Sequence, residues 1–243
     1  MVGVSDGSTH TFTMLGHCPR DSLVGLAIAS SPLAVATRCA YVRPGVGAVS
    51  TQAYCNPAIG PQALALLERG LSPEEAIEEI RRTDPHPKFR QVGIVSAKGH
   101  AAAMTGSDCL DWKGHATGPG YIAMGNYLVG PQVVAAMDES WKKSDGEILQ
   151  ERLLRGIEAA RDAGGELGGP PMSAALVVYG AESYSRTDLR IDMHEGSTDE
   201  DAIHDLRRIF DRFRPLIPYY EARAKNPFLP RWTDWLAENT RIG

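Results

Sequence analysis

Apolar and polar positions along the chain fall into blocks of two periods. Residues 11–16, Thr-Phe-Thr-Met-Leu-Gly, and 23–29 are short apolar-rich runs on either side of Cys18-Pro19-Arg20-Asp21-Ser22. The proline and aspartate favour a turn, so the pair predicts a β-hairpin. A third strand is expected over 46–52, led by Arg43-Pro44-Gly45. The period then lengthens. Residues 61–68 place Ala63, Leu64 and Leu67 on one helical face and stop at Gly70. Ser72-Pro73-Glu74-Glu75 opens a second helix with a capping box, followed by the stripe Ala76, Ile77, Ile80. Strands are expected again over 91–97, 100–105 and 121–126. Helices follow over 131–141 and 147–163, the second ended by Gly164-Gly165. The run 173–179 is almost wholly apolar and reads as a strand buried on both faces, whereas 189–193 alternates as an antiparallel strand does. A last helix from Asp199 turns Ile203, Leu206, Ile209 and Phe210 inward.

Strands and pairs of helices therefore come in groups rather than in strict alternation. That argues against a doubly wound parallel sheet and for stacked antiparallel sheets covered by helix pairs. Two segments stand outside this plan. Residues 1–10 are small and polar, a mobile leader. Residues 214–243 carry Tyr219, Tyr220, Phe228, Trp232 and Trp235, too aromatic for a solvated tail; they are expected to pack on the 11–213 domain or on a partner subunit.

Composition narrows the classes. The chain has 243 residues, 43% hydrophobic and 23% charged, with a net charge of -5 and a pI near 5.8. An acidic balance disfavours nucleic acid and anionic membranes as partners. No apolar run approaches the roughly 20 residues of a membrane span, and the N-terminus lacks the basic and apolar regions of a secretory signal. Cys18, Cys39, Cys55 and Cys109 show no CxxC spacing, so reduced thiols in a cytoplasmic protein are expected. Asp192-Met193-His194 and the scattered His17, His100 and His115 form no HxH or HxxxH pattern, so no metal is expected. Phosphate-loop, dinucleotide and GxSxG signatures are also missing, and no cofactor is expected.

An ordered set of segments carries a resemblance: Thr11-Phe12-Thr13; Gly25-Leu26-Ala27-Ile28-Ala29-Ser30; Gly45 to Ala53; Asn56-Pro57 with Gly60; Gln91-Val92-Gly93-Ile94-Val95; Thr117-Gly118-Pro119-Gly120-Tyr121; Gly125-Asn126 with Leu128 and Gly130; Ser173-Ala174-Ala175-Leu176; and Asp188 to Asp192. Together they resemble an uncharacterised bacterial family, domain-of-unknown-function family ten-twenty-eight, with an N-terminal-nucleophile (Ntn) hydrolase-like fold. The resemblance implies an α+β, four-layer αββα sandwich over 11–213 and, by its wider superfamily, hydrolysis of an amide bond. The chain departs from the family twice. Ten residues precede Thr11 where members begin Met-Thr, and the segment before the 173 strand reads Glu166-Leu167-Gly168-Gly169-Pro170-Pro171-Met172 in place of the usual Asp, Arg and Gln.

An Ntn nucleophile uses its own α-amine as base, since that group titrates at about 7.7–8. Thr11 thus has three readings: a nucleophile freed by cleavage after His10, a hydroxyl that positions an attacking water, or a first-strand threonine without chemistry. Ser30 can orient the nucleophile, and Asn126, at a strand end, can donate to an oxyanion. Arg38, a charge in an apolar stretch, is a candidate substrate anchor; Thr51, Gln52 and Asn56 are candidates for binding a substrate amide. The expected function is metal-independent hydrolysis of a small-molecule amide, lactam or ureide by a homo-oligomer, in the catabolism of a nitrogen compound. The alternative is a non-catalytic binding or assembly protein on the same scaffold.

Overall fold

The computed structural model describes residues 10–195 and 200–239. The chain opens on the expected hairpin, β1 (Thr11–Cys18) and β2 (Leu23–Ser30). After a single helical turn, α1 (Ala36–Cys39), comes a second hairpin, β3 (Ala40–Arg43) and β4 (Gly47–Ala53). Helices α2 (Ile59–Glu68) and α3 (Pro73–Thr83) lead to strands β5 (Arg90–Ser96), β6 (Ala101–Thr105), β7 (Gly114–Gly118) and β8 (Tyr121–Asn126). Then follow α4 (Gln132–Lys143), α5 (Leu149–Asp162), the hairpin β9 (Ser173–Tyr179) and β10 (Ser185–Ile191), and helices α6 (Ala202–Phe213), α7 (Ile217–Lys225) and α8 (Trp232–Asn239).

The strands form two antiparallel sheets, one of six strands in the order β10-β9-β2-β1-β8-β7 and one of four in the order β3-β4-β5-β6. Strand alternation assigns each side chain to a face. Phe12, Met14, Ala27, Ala29, Ala123 and Leu176 pack on α4, α5 and α6 through Met137, Leu153, Ile157 and Phe210. The opposite parity, Leu15, Leu26, Ile28, Ile122 and Met124, meets Ala48 and Val95 of the smaller sheet. Beyond it, Val49, Val92 and Ile94 pack on Ala63, Ala76, Ile77 and Ile80 of α2 and α3. Gly93 permits the close approach of the two sheets: a Cβ there would lie 3.0 Å from Met124 Sδ and 3.2 Å from a Leu15 methyl.

The α3 capping box forms as its sequence predicts: Ser72 Oγ accepts from Glu75 N (3.2 Å) and Glu75 Oε2 accepts from Ser72 N (2.7 Å). Other expectations need correction. The helix expected from Asp199 is α6, which begins at Ala202, capped by Asp201 Oδ1, which accepts from Ile203 N at 2.9 Å; Asp199 lies outside the described residues, and α7 and α8, which follow, were not expected. Ile209 is exposed because it falls off the line of Ile203, Leu206 and Phe210 that faces the sheet. Strand β10 starts at Ser185, four residues earlier than its alternation suggests, and Met193 is exposed beyond it. Strands β3 and β7 were not expected: both are edge strands, half-exposed and poor in large apolar residues. In the aromatic segment Ile217 and Tyr219 are buried, Tyr219 donates to Pro230 O (3.0 Å), and Glu221 pairs with Arg186 of β10 (2.7 Å). Phe228 stands 92% exposed. Among the described residues no helix is long and apolar enough to cross a membrane.

Candidate active site

The space between the sheets is apolar at one end and polar at the other, and alternation explains the change. Thr11 and Thr13 share the inward parity of Leu15 on β1, Ser30 that of Ile28 on β2, and Asn126 that of Met124 on β8. Ser50 and Gln52 continue the face of Ala48 on β4, and Gln91 that of Val95 on β5. All seven are buried. Buried polar side chains are tolerated where they bond to one another, and these do.

Thr11 lies at the centre. Its Oγ1 is 3.0 Å from Ser30 Oγ and donates to the carbonyl oxygen of His10 (2.5 Å); Ser30 Oγ donates to the same oxygen. The main-chain oxygen of Thr11 accepts from Gln52 Nε2 (3.1 Å) and Asn126 Nδ2 (3.4 Å). Gln91 Oε1 accepts from both of these amides, at 2.7 and 3.1 Å, while its Nε2 reaches Gly125 O (2.9 Å), Gly114 O (3.1 Å) and Thr105 Oγ1 (2.9 Å). Gln52 Oε1 accepts from Thr13 (2.6 Å) and Ser50 (3.2 Å). Asn126 Oδ1 has no partner among the described residues. Gln91 thus couples the two sheets beneath Thr11. Gln91→Leu leaves the Gln52 and Asn126 amides and two carbonyls underbonded, at about 1–3 kcal/mol per orphaned buried group. A loss on the order of 3 kcal/mol in urea unfolding is expected; an unchanged midpoint would show that the network does not hold the sheets.

A second cluster adjoins the first through His10. Sequence placed this residue in the leader, yet it is 1% exposed; residues 1–9 lie outside the described residues. Its Nδ1 is 3.3 Å from Ser31 Oγ and 3.8 Å from Glu166 Oε2, and its ring lies against that of Tyr127 with centroids 4.4 Å apart. Glu166 Oε2 accepts from Ser31 N (3.0 Å) and Ser31 Oγ (2.5 Å). Burial pushes this carboxyl up to about 8; the Ser31 bonds oppose that rise and the Asp201 charge adds to it.

Of the expected site residues, Thr11, Ser30, Gln52 and Asn126 come together. Thr51, Asn56 and Arg38 do not join them. Thr51 neighbours Gln52 in a strand and so faces the other way, its hydroxyl reaching Asn56 O at 3.4 Å. Asn56 Oδ1 caps its own turn by accepting from Ala58 N (3.2 Å). Arg38 is exposed on the short α1 and donates to Leu33 O (3.1 Å), so solvent can satisfy its charge. His10, Gln91 and Glu166 are missing from the sequence-based set. Only Gln91 carries a sequence signal, an amide of inward parity opposite Gln52 in the strand register.

The family described as "Family of unknown function (DUF1028)" matches residues 11–200. A crystal structure of protein SPO2555 from Silicibacter pomeroyi, assigned to DUF1028, superposes with a TM-score of 0.77 at 28% identity over 93% of each chain. Anbu (ancestral beta-subunit) from Yersinia bercovieri aligns with a TM-score of 0.38 at 13% identity, over 90% of this chain and 99% of its own. No curated protein matches the chain.

Proposed function

The chain belongs to the DUF1028 family, and from that premise we propose that it is an amide hydrolase of the Ntn type, built as a four-layer αββα sandwich over 11–213 with the aromatic segment 214–243 appended. The observation that carries the reading is the convergence of the Thr11 and Ser30 hydroxyls on the carbonyl of His10 at a buried strand end. In a first step Thr11 Oγ attacks the His10 carbonyl carbon. Ser30 donates to the developing oxyanion, the bond from that carbon to Thr11 N breaks, and the hydroxyl proton passes to the nitrogen. Water hydrolyses the resulting ester and releases the leader as a carboxylate. The freed α-amine, with a pKa of about 7.7–8, then serves as base for the same hydroxyl.

In turnover Thr11 Oγ takes the acyl group of a small amide, lactam or ureide, the amine leaves with a proton, and water deacylates the enzyme. Both Asn126 amide contacts are already spent on Thr11 O and Gln91, so Ser30 is the oxyanion donor and Asn126 holds the Thr11 main chain; its unpartnered Oδ1 is an acceptor suited to the new amine. Arg38, Thr51 and Asn56 take no part in this mechanism. The reading also carries a cytoplasmic homo-oligomer, supported by the exposed Tyr220, Phe228 and Trp232.

Intact-mass spectrometry with a screen of amides, lactams and ureides for amine or ammonia release tests it. The expected result is the mass of residues 11–243 together with turnover. A full-length mass with turnover moves the attack to water, and a full-length mass without turnover leaves a binding protein.

A further inference from the structure

On the hydrolase reading proposed above, the same oxygen, Thr11 Oγ, is acylated in processing and in turnover. The acyl group of both esters must therefore extend from that oxygen along one path. In the uncleaved chain the acyl group is the leader, and its last side chain, His10, fills a built pocket. The Tyr127 ring covers one face at 4.4 Å, tilted by 34°. The Ser31 hydroxyl and the Glu166 carboxyl line the Nδ1 edge at 3.3 and 3.8 Å. Glu166 Oε1 is buried without a partner among the described residues. Gly168 closes the pocket, where any Cβ would overlap the imidazole. Tyr127, whose ring forms the aromatic face, holds a φ of 55°, a left-handed backbone that a residue with a side chain rarely adopts.

One aromatic face, one hydrogen-bonding edge and a wall without a side chain suit a flat ring with a nitrogen on that edge. A small aliphatic group would leave the pocket half empty, and a phenyl ring would leave Ser31 and Glu166 facing carbon. We infer that the space vacated by the His10 side chain is the acyl-side specificity pocket of the processed enzyme, and that it selects amides whose acyl group carries a planar nitrogen heterocycle, of which a histidyl amide is the simplest.

Two series test this. In the first, His10→Gly, His10→Ala, His10→Gln and His10→Phe are made in the full chain and the appearance of mature mass is timed. All of them mature to the same residues 11–243, so the product fold is constant. In the second, processed wild-type protein is offered N-acetyl anilides of the same five amino acids. The two rank orders should agree, with histidine first and roughly tenfold or more above alanine in both. Equal processing of His10→Ala and wild type, or equal kcat/KM for histidyl and alanyl anilides, would overturn the pocket while leaving the hydrolase intact. If processed protein turns over no amide of any kind, the hydrolase reading fails instead. Calorimetry with N-acetylhistidine amide then decides the pocket, and no uptake overturns it. A chain that keeps its leader overturns the pocket, because His10 would occupy it permanently; amide turnover by that chain would leave only attack by water.

Discussion

Thr11→Ala is expected to yield a full-length chain and to lower amide turnover by roughly 1,000-fold or more, the scale on which removal of a covalent nucleophile acts. The effect is large because in the proposed mechanism one atom performs both steps: without Oγ the His10 carbonyl would not be attacked, and the α-amine base would not be freed. The structural cost is small. Thr11 Oγ1 contacts His10 O and Ser30 Oγ, worth about 1 kcal/mol each, and Phe12 on the opposite face still packs against the helices. Near-native unfolding alongside lost chemistry is therefore the signature. Thr11→Ser keeps the hydroxyl and should keep processing. Wild-type turnover in the alanine variant would remove Thr11 from the mechanism.

Glu166 supplies the second large effect, on stability against pH. Its folded-state pKa near 8 stands above its unfolded value, about 4.3. The folded chain therefore holds a proton that the unfolded chain releases between these two values, and stability must fall as pH rises through that window. Each unit of difference corresponds to about 1.4 kcal/mol, so a loss of several kcal/mol is expected between about pH 5 and 8. His10 Nδ1 at 3.8 Å and Asp201 are the titratable groups that face the carboxyl, and the measurement belongs in the Thr11→Ala background, which retains His10. Glu166→Gln keeps the shape without the titration. Its urea midpoint should stay nearly level over that range and exceed that of the parent at pH 8. Parallel pH profiles for the two proteins would assign the dependence elsewhere.

Much of the scaffold was legible along the chain. Strand periods marked β1, β2, β4, β5, β6, β8 and β9, helical spacing marked α2 to α6, and the Ser72 cap formed where its residue types require it. The edge strands β3 and β7 escaped because edges need little apolar surface. Within the site, Thr11, Ser30, Gln52 and Asn126 were legible as polar residues at the ends of apolar strands. Thr51 shows where neighbourhood in sequence misleads, since it shares a strand end with Gln52 but not a face. Glu166 and His10 were invisible for a different reason. One sits in a segment rich in Gly and Pro and the other ahead of the first strand, so neither has a periodicity from which burial could be read.

What the sequence determined by itself is parity and order: which residues of each strand face inward, which helices carry an apolar stripe, and that a threonine opens the first strand. These follow from bond geometry repeated along one element. The tertiary structure alone decided which inward polar groups meet. Thr11 finds Gln52 across 41 positions and Asn126 across 115, and Ser31 finds Glu166 across 135. Such pairings depend on how two sheets stack and how a loop is buried against them, quantities no local period contains. The same burial pushes the Glu166 carboxyl up to about 8 and encloses the His10 ring beside Tyr127, Ser31 and Glu166.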